Sequence, residues 1–450
     1  MLTALIVLAA GRGTRMNSDL PKVLHPLGGV PLLVHAVGSG RCLSPDRVVL
    51  VTGTGSDAVA KSAKALDPEI DIVIQTRQLG TGHAVLQAEA ALKDFSGDAV
   101  VLYGDTPFIR EGTLRRMKVA REAGHDIVVL GFESAKPGRY GRIVMDGGRL
   151  VRIVEFRDAT ETERTITLCN SGIVMADAER MFGLCRGLSN ENAGGEYYLT
   201  DIVERARVRG LKVTAVICDE RETLGVNTRA QLAHAEAVFQ ANARKGAMDS
   251  GVTMVAPDTV FLSYDTRLGP DCLLEPNVIL GPGVTVEAHA TIRAFSHLEG
   301  AHIGRGAVVG PFARLRPGTN LSSGAKVGNF VEIKNASLGE GAKAGHLAYV
   351  GDAQVGPDAN IGAGTVTCNY NGVEKHRTEI GARAFIGSDT MLVAPVRVGD
   401  DAITASGSVI TKDVPDGALA ITRADQNIKP GATRRLLELY RRSRAKSGKP

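Results

Sequence analysis

The chain has 450 residues, of which 44% are hydrophobic and 23% charged, and its formal net charge is +4. This length predicts two to four domains, and the composition is that of an ordinary globular protein. The small net charge argues against nucleic-acid binding along the whole chain, and no run approaches the roughly 18 apolar residues that a membrane span needs. Six cysteines occur without a C-x-x-C pair. They favour reduced thiols in a cytosol over a zinc site or a disulfide framework.

The first half of the chain alternates short apolar runs, rich in β-branched residues, with segments of helical length. The first run, ALIVLAA, is not preceded by a basic region, and Gly11 interrupts it early. It therefore predicts a buried first strand rather than a signal peptide. The alternation predicts an α/β domain over residues 1–227 with a largely parallel sheet covered on both faces.

An alanine-rich stretch follows at residues 228–250, and it predicts a helical linker between domains. Thr228 is a plausible N-cap, and Gly251 is a plausible stop. At the other end of the chain, residues 426–450 form a basic tail. We expect this tail to be solvated and partly helical.

Between residues 251 and 425 small aliphatic residues recur every six positions, with occasional five-residue steps. The series is Leu280, Val286, Ile292, Leu298, Ile303, Val309, Leu315, Leu321, Val327, Ile333, Leu338, Ala344, Val350, Val355, Ile361, Ile380, Ile386, Leu392, Val398 and Ile410. This period predicts a three-sided parallel β-helix whose aliphatic residues point inward and whose coils stack on their neighbours. The stretch from Cys368 to Thr378 falls out of register and predicts a projecting loop.

A glycine-rich motif follows the first strand. Gly11 and Gly13 would let backbone N–H groups approach phosphate oxygens, and Arg15 and Lys22 add positive charge where a triphosphate would sit. The motif is not a Walker A loop, and the third glycine of a dinucleotide fingerprint is replaced by Met16. Taken alone, such a loop could also be purely structural.

Asp105 ends the apolar run AVVLYGD, which places it at the carboxyl edge of the predicted sheet. Mg²⁺ favours such a carboxylate together with substrate phosphates. An Asp in this position could equally be a helix cap. Asn227, by itself, looks like a turn residue.

Polar residues cluster near the register breaks of the hexapeptide repeat, and His346 is the candidate base among them. A histidine there could also be merely exposed, and the repeat could be only a scaffold. Zinc binding through His289, His297, His302 and His346 is a further alternative, but their spacing does not bring them together on successive coils.

The motif LAAGRGTRM with Pro21-Lys22 resembles sugar-1-phosphate nucleotidyltransferases, and the repeat resembles left-handed β-helix acyltransferases. Joined in this order, up to about Arg423, they resemble the family of bacterial bifunctional N-acetylglucosamine-1-phosphate uridyltransferases/glucosamine-1-phosphate acetyltransferases. The resemblance implies a Rossmann-like nucleotidyltransferase domain followed by a left-handed three-sided parallel β-helix.

For the first half, the resemblance implies one site with Arg15 and Lys22 as catalytic cations and with Asp105 and Asn227 as ligands of Mg²⁺. The residues that would hold UTP and the sugar are Leu8, Ala9, Ala10, Gly11, Lys22, Gln75, Gly80, Thr81, Tyr103, Gly104, Asp105, Gly141, Glu155, Asn170 and Asn227. Of these, Gly141, Glu155 and Asn170 would bind the sugar. Arg12 stands where the family often has Lys, and this change keeps the charge.

For the second half, the resemblance implies that His346 is the catalytic base. Glucosamine-1-phosphate would be bound by Arg316, Lys334, Tyr349, Asn360 and Lys375. Acetyl-CoA would be bound by Ala363, Asn369, Tyr370, Ser388, Ser406 and Arg423. The family often has Ala where Ser406 stands, and a backbone contact would survive that change. The family also implies a homotrimer formed through the β-helix.

The implied function is acetylation of glucosamine-1-phosphate, followed by Mg²⁺-dependent uridylyl transfer from UTP to give UDP-N-acetylglucosamine for cell-wall and lipopolysaccharide synthesis. The partners would be small molecules in the cytoplasm, without nucleic acid or an integral membrane segment. One alternative is a single-activity nucleotidyltransferase with a scaffolding β-helix, which the polar cluster around His346 disfavours. Another is a non-catalytic scaffold or sensor, which Arg15, Lys22 and Asp105 disfavour.

Overall fold

The computed structural model describes residues 2–11 and 13–447. The chain divides into two compact units. The first runs up to Lys245 and also includes Leu262–Tyr264, and the second comprises Gly246–Phe261 and the residues from Asp265 onward. In the part of the chain that the structure describes, no helix is both long enough and apolar enough to span a membrane.

The first unit is built from alternating strands and helices. Its strands are β1 (Leu2–Ala9), β2 (Pro26–Leu27), β3 (Val30–Pro31), β4 (Arg47–Gly53), β5 (Asp71–Gln75), β6 (Gly97–Tyr103), β7 (Ile127–Glu133), β8 (Arg142–Asp146), β9 (Arg149–Val154), β10 (Leu168–Asp177) and β11 (Val213–Cys218). Its helices are α1 (Leu32–Gly40), α2 (Asp57–Leu66), α3 (Thr81–Leu86), α4 (Glu111–Glu122), α5 (Glu161–Arg164), α6 (Ala178–Cys185), α7 (Ile202–Val208) and α8 (Arg229–Asp249).

The main sheet has the strand order β11-β7-β10-β6-β1-β4-β5, and β8 and β9 form a hairpin attached to β10. Its pairs are parallel except those made by β10, which runs antiparallel to β6 and β7. Alternate residues of β1 enter opposite cores. Ile6 and Leu8 lie in one core, and Leu5 and Val7 lie in the other. The predicted largely parallel sheet covered on both faces is therefore present.

The carboxyl ends of neighbouring parallel strands define one edge of this sheet. In the order β6-β1-β4-β5, the strands end at Tyr103, Ala9, Gly53 and Gln75. Such an edge is where open α/β sheets bind ligands. Three of the segments predicted to hold the nucleotide thus converge because their strands are adjacent.

The helix predicted for residues 228–250 is α8. The Thr228 hydroxyl accepts a hydrogen bond from the Gln231 N–H at 3.2 Å, which is an N-cap contact. Gln240 is buried, and its amide exchanges hydrogen bonds of 2.7 and 2.9 Å with the Leu262 backbone. Up to Lys245, the helix therefore belongs to the first unit.

The second unit consists of short parallel strands and a C-terminal helix. The strands are β12 (Thr253–Met254), β13 (Arg267–Leu268), β14 (Leu273–Leu274), β15 (Ile279–Leu280), β16 (Thr285–Val286), β17 (Thr291–Ile292), β18 (His297–Leu298), β19 (Ala301–Ile303), β20 (Val308–Val309), β21 (Arg314–Leu315), β22 (Thr319–Leu321), β23 (Lys326–Lys334), β24 (Ser337–Leu338), β25 (Lys343–Gly351), β26 (Ala353–Val355), β27 (Asn360–Ile361), β28 (Val366–Cys368), β29 (Thr378–Ile380), β30 (Phe385–Ile386), β31 (Met391–Val393), β32 (Val396–Val398), β33 (Ile403–Thr404), β34 (Val409–Ile410) and β35 (Leu419–Ala420). The helix is α9 (Ala432–Ser447).

These strands form the three faces of a parallel β-helix. One face follows the order β12-β14-β17-β20-β23-β25-β27-β30-β33-β35, another follows β13-β16-β19-β22-β24-β26-β29-β32, and the third contains β15, β18, β21, β28, β31 and β34. The long strands β23 and β25 bend across a corner and join two faces. Every aliphatic residue of the predicted six-residue series is at most 3% exposed, so the periodicity identified the inward positions.

The predicted break in the repeat lies between β28 and β29. Residues 370–375 are exposed there, and an antiparallel bridge joins Tyr370 to Lys375. The basic tail contains the helix α9, whose described residues are almost all exposed.

Candidate functional sites

A cavity of about 330 Å³ opens at the carboxyl edge of the main sheet. The residues that line it are Leu8, Ala9, Ala10, Gly11, Lys22, Val23, Gln75, Gln78, Gly80, Thr81, Ala84, Tyr103, Asp105 and Glu196. Gly104 lies between two of these residues, and its N–H donates to the Leu8 carbonyl at 3.0 Å. The structure thus brings together the residues predicted to hold the uridine and its phosphates. Arg12 lies outside the described residues.

The predicted catalytic cations and metal ligands form one contact network beside this cavity. The Lys22 ammonium contacts the Asp105 carboxylate and donates to Asn227 Oδ1 at 2.9 Å. Arg15 donates to the same Asn227 oxygen at 3.0 Å. A positive group therefore already lies between the oxygens of the two predicted ligands. Such an oxygen pair matches the donor preference of Mg²⁺.

Local backbone conformation explains how these distant residues meet. Gly13 has φ +62°, and a Cβ there would lie 2.7 Å from the Lys22 Cβ, so the loop needs glycine to pass this close. On the other side, the Val226 N–H donates to the Asp105 carbonyl at 2.9 Å. This bond holds Asn227 next to Asp105 across 122 positions of sequence.

A second cavity, of about 340 Å³, adjoins the first and contains the predicted sugar ligands Gly141, Glu155 and Asn170. Thr81 and Tyr103 line both cavities. The Asn170 N–H donates to the Gly141 carbonyl at 2.9 Å, and a Cβ on Gly141 would lie 3.4 Å from the Glu155 carboxylate. The hairpin of β8 and β9 thus places the Gly141 backbone and the Glu155 carboxyl group side by side in the lining of this cavity.

Carboxyl groups in and next to this second cavity have raised pKa values. Burial raises the pKa of Glu155, and nearby Asp158 and Glu196 raise it further. Burial, with Glu155 and other carboxylates nearby, raises the pKa of Asp201 to about 6. Thr200 donates to Glu155 at 3.2 Å. The raised pKa disfavours the charged form, so this wall suits a polar, uncharged ligand such as a sugar, with which the Glu155 carboxyl group can exchange hydrogen bonds.

Sequence reasoning missed several lining residues of the first unit. Gln78 donates to the Ala10 carbonyl, and Glu196 lines both cavities. Tyr198 and Thr200 line the second cavity. The segment that carries Glu196, Tyr198 and Thr200 is irregular, so no periodicity marked it; the available signal was the polar aromatic run EYYLT after two glycines.

In the second unit, several predicted acetyl-CoA residues lie in one column with His346. The strand register stacks Ala344 on Ile361, Ile361 on Ile386, and Ile386 on Thr404. Two residues beyond these positions stand, in order, His346, Ala363, Ser388 and Ser406. Arg423 donates to the Ser406 carbonyl at 2.8 Å. We call His346, Ala363, Ser388, Ser406 and Arg423 the His346 column.

The predicted phosphate ligands form a basic cluster of Arg316, Lys334 and Lys375. The neighbouring Lys334 ammonium lowers the pKa of Lys375, and Arg316 contributes in the same direction. Lys334 lies 3.3 Å from Asp352, and Arg316 donates to Glu332 at 2.9 Å. The mutual repulsion of these cations suits a dianionic phosphate.

Asn369, predicted to bind acetyl-CoA, contacts residues next to this cluster. Its amide contacts the Asp352 carboxylate and lies 3.5 Å from the Tyr349 hydroxyl. Although burial acts to raise it, hydrogen bonds from Asn335, Asn369 and Lys334 lower the pKa of Asp352. This carboxylate, which sequence reasoning missed, holds several predicted ligands in place.

Asn360 and Tyr370 lie elsewhere. Asn360 stacks between Lys343 and Phe385 on another face of the β-helix. Tyr370 is exposed on the projecting loop, where its hydroxyl donates to the Gly372 carbonyl at 2.6 Å. The backbone of Tyr370 bridges to Lys375 of the basic cluster, whereas Asn360 makes no contact with that cluster in the described chain.

Two of the four histidines considered for zinc each contact a single carboxylate. His289 lies 3.6 Å from Asp271, and His302 lies 3.1 Å from Glu287. Among the described residues there is no group of three or more His, Cys, Asp or Glu side chains that could hold a metal ion.

Comparisons with known proteins cover both units. Residues 5–160 match the family model of the MobA-like NTP transferase domain, and residues 377–412 match that of the bacterial transferase hexapeptide, six repeats. The Bifunctional protein GlmU of Cereibacter sphaeroides is 64% identical over 98% of this chain and 97% of its own length. Proteins of that name from Ruegeria sp. and Dinoroseobacter shibae are 61% and 59% identical, each over 100% of both chains.

The chain belongs to the GlmU family of bifunctional proteins. This membership confirms the predicted fold class, a Rossmann-like nucleotidyltransferase domain followed by a β-helix of hexapeptide repeats. It also confirms the predicted function: the chain is a transferase with uridylyltransferase and acetyltransferase activities. The GlmU relatives match along nearly the whole chain, so the alternatives with a merely scaffolding half are set aside.

Proposed function

We propose that residues 1–227 catalyse uridylyl transfer from UTP to N-acetylglucosamine-1-phosphate, and that residues 251–425 acetylate glucosamine-1-phosphate with acetyl-CoA. The observation that carries this assignment is the presence of two separate constellations, each within one unit. One is the Lys22–Asp105–Asn227 network at the sheet edge. The other is the His346 column beside the basic cluster.

In the first unit, the sugar phosphate would attack the α-phosphorus of UTP in line, with pyrophosphate as the leaving group. Such a reaction needs positioning and neutralisation of charge. Gly11 and Gly80 would bring backbone to the nucleotide, and the carboxylate of Glu155 would accept from sugar hydroxyls. Arg15 and Lys22 would balance the phosphate charge. Mg²⁺, held by Asp105 and Asn227, would add Lewis-acid charge neutralisation.

A magnesium titration tests this ligand assignment. Asp105→Asn removes a negative charge and keeps the shape of the side chain. We expect the Mg²⁺ concentration that gives half-maximal pyrophosphate release to rise about tenfold or more, because Mg²⁺ binds neutral amide oxygens less tightly than carboxylates. An unchanged magnesium dependence would contradict the assignment. Acetyl transfer by the same variant serves as the control for folding.

In the second unit, the sugar amine would attack the thioester carbonyl of acetyl-CoA, forming the amide bond and releasing the CoA thiolate. His346 is exposed and takes part in the column, so it can receive the proton that the amine loses. The basic cluster would fix the sugar phosphate. The backbone of Ala363, Ser388 and Ser406 would run alongside acetyl-CoA on successive coils.

The homotrimer is supported by an exposed aromatic ridge next to the column. Phe295, Phe312 and Phe330 are 53%, 46% and 57% exposed. Their rings stack at 4.9 and 5.4 Å between centroids. Phe330 directly follows Asn329, which pairs with His346. Large exposed apolar rings of this kind are stabilised when another subunit covers them, so a second copy on this ridge would lie beside the acetyl site.

The cytoplasm is the proposed location. It is supported by the cysteines, all six of which are free thiols in the described structure.

An acetyl-transfer assay without nucleotide tests the assignment of the second unit. Protein, acetyl-CoA and glucosamine-1-phosphate are mixed without nucleotide, and the free CoA thiol is followed. We expect release from the wild type and a loss of about 100-fold or more in His346→Ala, which is the usual contribution of a general base. His302→Ala is the matched control, since His302 lies on β19, in another face of the β-helix, where it contacts Glu287. No release from the folded wild type would contradict the proposal.

A further inference from the structure

Gln75 is the proposed uridine ligand whose orientation the structure fixes most clearly. Its side chain is 4% exposed and lines the first cavity. Its Nε2 donates to the Gly80 carbonyl at 3.1 Å, and this contact decides which way the amide points, since a carbonyl oxygen only accepts.

The same nitrogen lies 3.0 Å from His83 Nδ1. Because Nε2 can only donate, this contact needs the neutral imidazole tautomer in which Nδ1 accepts and Nε2 carries the proton. The Gln87 amide nitrogen lies farther from the other ring nitrogen, at 3.4 Å from His83 Nε2, so the contact at Nδ1 is the shorter of the two. Burial lowers the pKa of His83, and the nearby Arg77 guanidinium lowers it further, so the neutral form is favoured. Gln87 donates to the His83 backbone carbonyl at 2.9 Å.

Both amide hydrogens of Gln75 are therefore engaged, one by Gly80 and one by His83. In the described chain, Gln75 Oε1 is not a buried atom that lacks a hydrogen-bond partner. Because Gln75 lines the cavity, Oε1 can face it. What Gln75 presents there is an acceptor and not a donor. A pyrimidine that carries N–H at position 3, as uracil does, can pair with it. Cytosine, whose N3 is itself an acceptor, cannot.

We propose that His83 is a positioning residue for nucleobase selection: by accepting a hydrogen bond from Gln75, it holds the amide as a pure acceptor for a base that donates at N3. This inference rests on the proposed nucleotide site. Without the acceptor at position 83, one N–H of Gln75 is freed and can turn towards N3 of cytosine. The preference for UTP then weakens, because a buried site discriminates through the groups that it leaves unpaired.

The test compares His83→Leu, which removes the acceptor, with His83→Asn, whose Oδ1 occupies the place of Nδ1. Pyrophosphate release is measured with UTP and with CTP at saturating sugar phosphate. We expect His83→Leu to raise the KM for UTP with a smaller effect on kcat, and to lower the UTP-to-CTP ratio of kcat/KM about tenfold, the effect of roughly one hydrogen bond. His83→Asn should restore most of the ratio.

An unchanged ratio in His83→Leu would overturn the inference, and so would an equal loss of the ratio in both variants. Gln75→Ala separates this failure from failure of the nucleotide site. If Gln75→Ala raises the KM for UTP while His83→Leu leaves the ratio unchanged, only the role of His83 is wrong. If neither variant changes the KM for UTP, the proposed site is wrong as well. Acetyl transfer by each variant reports that the chain has folded.

Discussion

In the first unit, the proposed ligands of UTP come from loops that follow β1, β5 and β6, and they meet because these strands lie side by side. In the second unit, the His346 column repeats one structural position on successive coils. A site at a sheet edge depends on loops of unrelated sequence, whereas a site along a β-helix depends on the register of a repeat. The two sites should therefore respond differently to mutation.

The largest expected effect on the assembly concerns the aromatic ridge of the second unit. Phe312→Glu places a charge between Phe295 and Phe330, where burial of the ridge would be costly. We expect loss of the trimer in sedimentation analysis and a fall in acetyl transfer of more than about 100-fold, since a charge left unpaired in a subunit interface costs several kcal/mol. Uridylyl transfer should be unchanged.

Val119→Glu is the matched control for that change, because Val119 is an exposed apolar residue on α4 of the first unit. It should leave both the assembly and acetyl transfer intact. A Phe312→Glu protein that remains trimeric would show that the ridge is not the interface.

The next effect separates the two substrates of the acetyl site. Lys375→Ala removes a cation of the basic cluster, so the KM for glucosamine-1-phosphate should rise about tenfold with little change for acetyl-CoA. Ser406→Tyr places a bulky ring in the His346 column, so the KM for acetyl-CoA should rise instead. Steady-state kinetics with each substrate varied in turn would show this crossover. If both variants raise the same KM, the division between column and cluster is wrong.

The smallest effect concerns stability of the first unit. The raised pKa of Asp201, about 6, means that the folded unit retains a proton that the unfolded chain has released. Stability from this group is therefore lost as the pH rises from about 4 to about 6. Asn does not ionise, so the Asp201→Asn variant does not lose this stability as the pH rises. Because the group is half exposed, we discount the gain to about 1 kcal/mol, which raises Tm by about 2–4 °C.

Thermal unfolding measured across this pH range checks whether stability falls as the pH rises. The difference in Tm between Asp201→Asn and the wild type should grow from pH 4 to pH 6 and then stay constant. Glu179→Gln, on the surface of α6, is a control that should show no such growth. A difference that shrinks with rising pH would contradict the assignment.

The sequence predicted the β-helix more completely than the α/β unit. Each coil repeats the same inward position, so residues such as Ile303 and Leu338 were identified by period alone, and they are fully buried. In the first unit, β10 runs antiparallel between two strands of the otherwise parallel path, and the hairpin of β8 and β9 hangs from it. Local patterns do not encode strand direction, so this arrangement was not predicted.

The same difference applies to the candidate sites. Asp105 could be placed at the sheet edge because a buried strand precedes it, but Glu196 lies in irregular chain, where the only local signal is a polar aromatic run after two glycines. Asp352 was missed for another reason. It acts by holding Lys334 and Asn369, and such a role depends on contacts between coils that no motif records.

The central claim is that two independent reactions reside in the two units. Uridylyl transfer and acetyl transfer should both be measured in the same two purified variants, Asp105→Ala and His346→Ala. We expect a double dissociation. Asp105→Ala should lose uridylyl transfer by about 1,000-fold or more and keep acetyl transfer within about twofold, while His346→Ala should lose acetyl transfer by about 100-fold and keep uridylyl transfer. If either variant loses both activities while it remains folded, or if neither variant loses its assigned activity, the claim is contradicted.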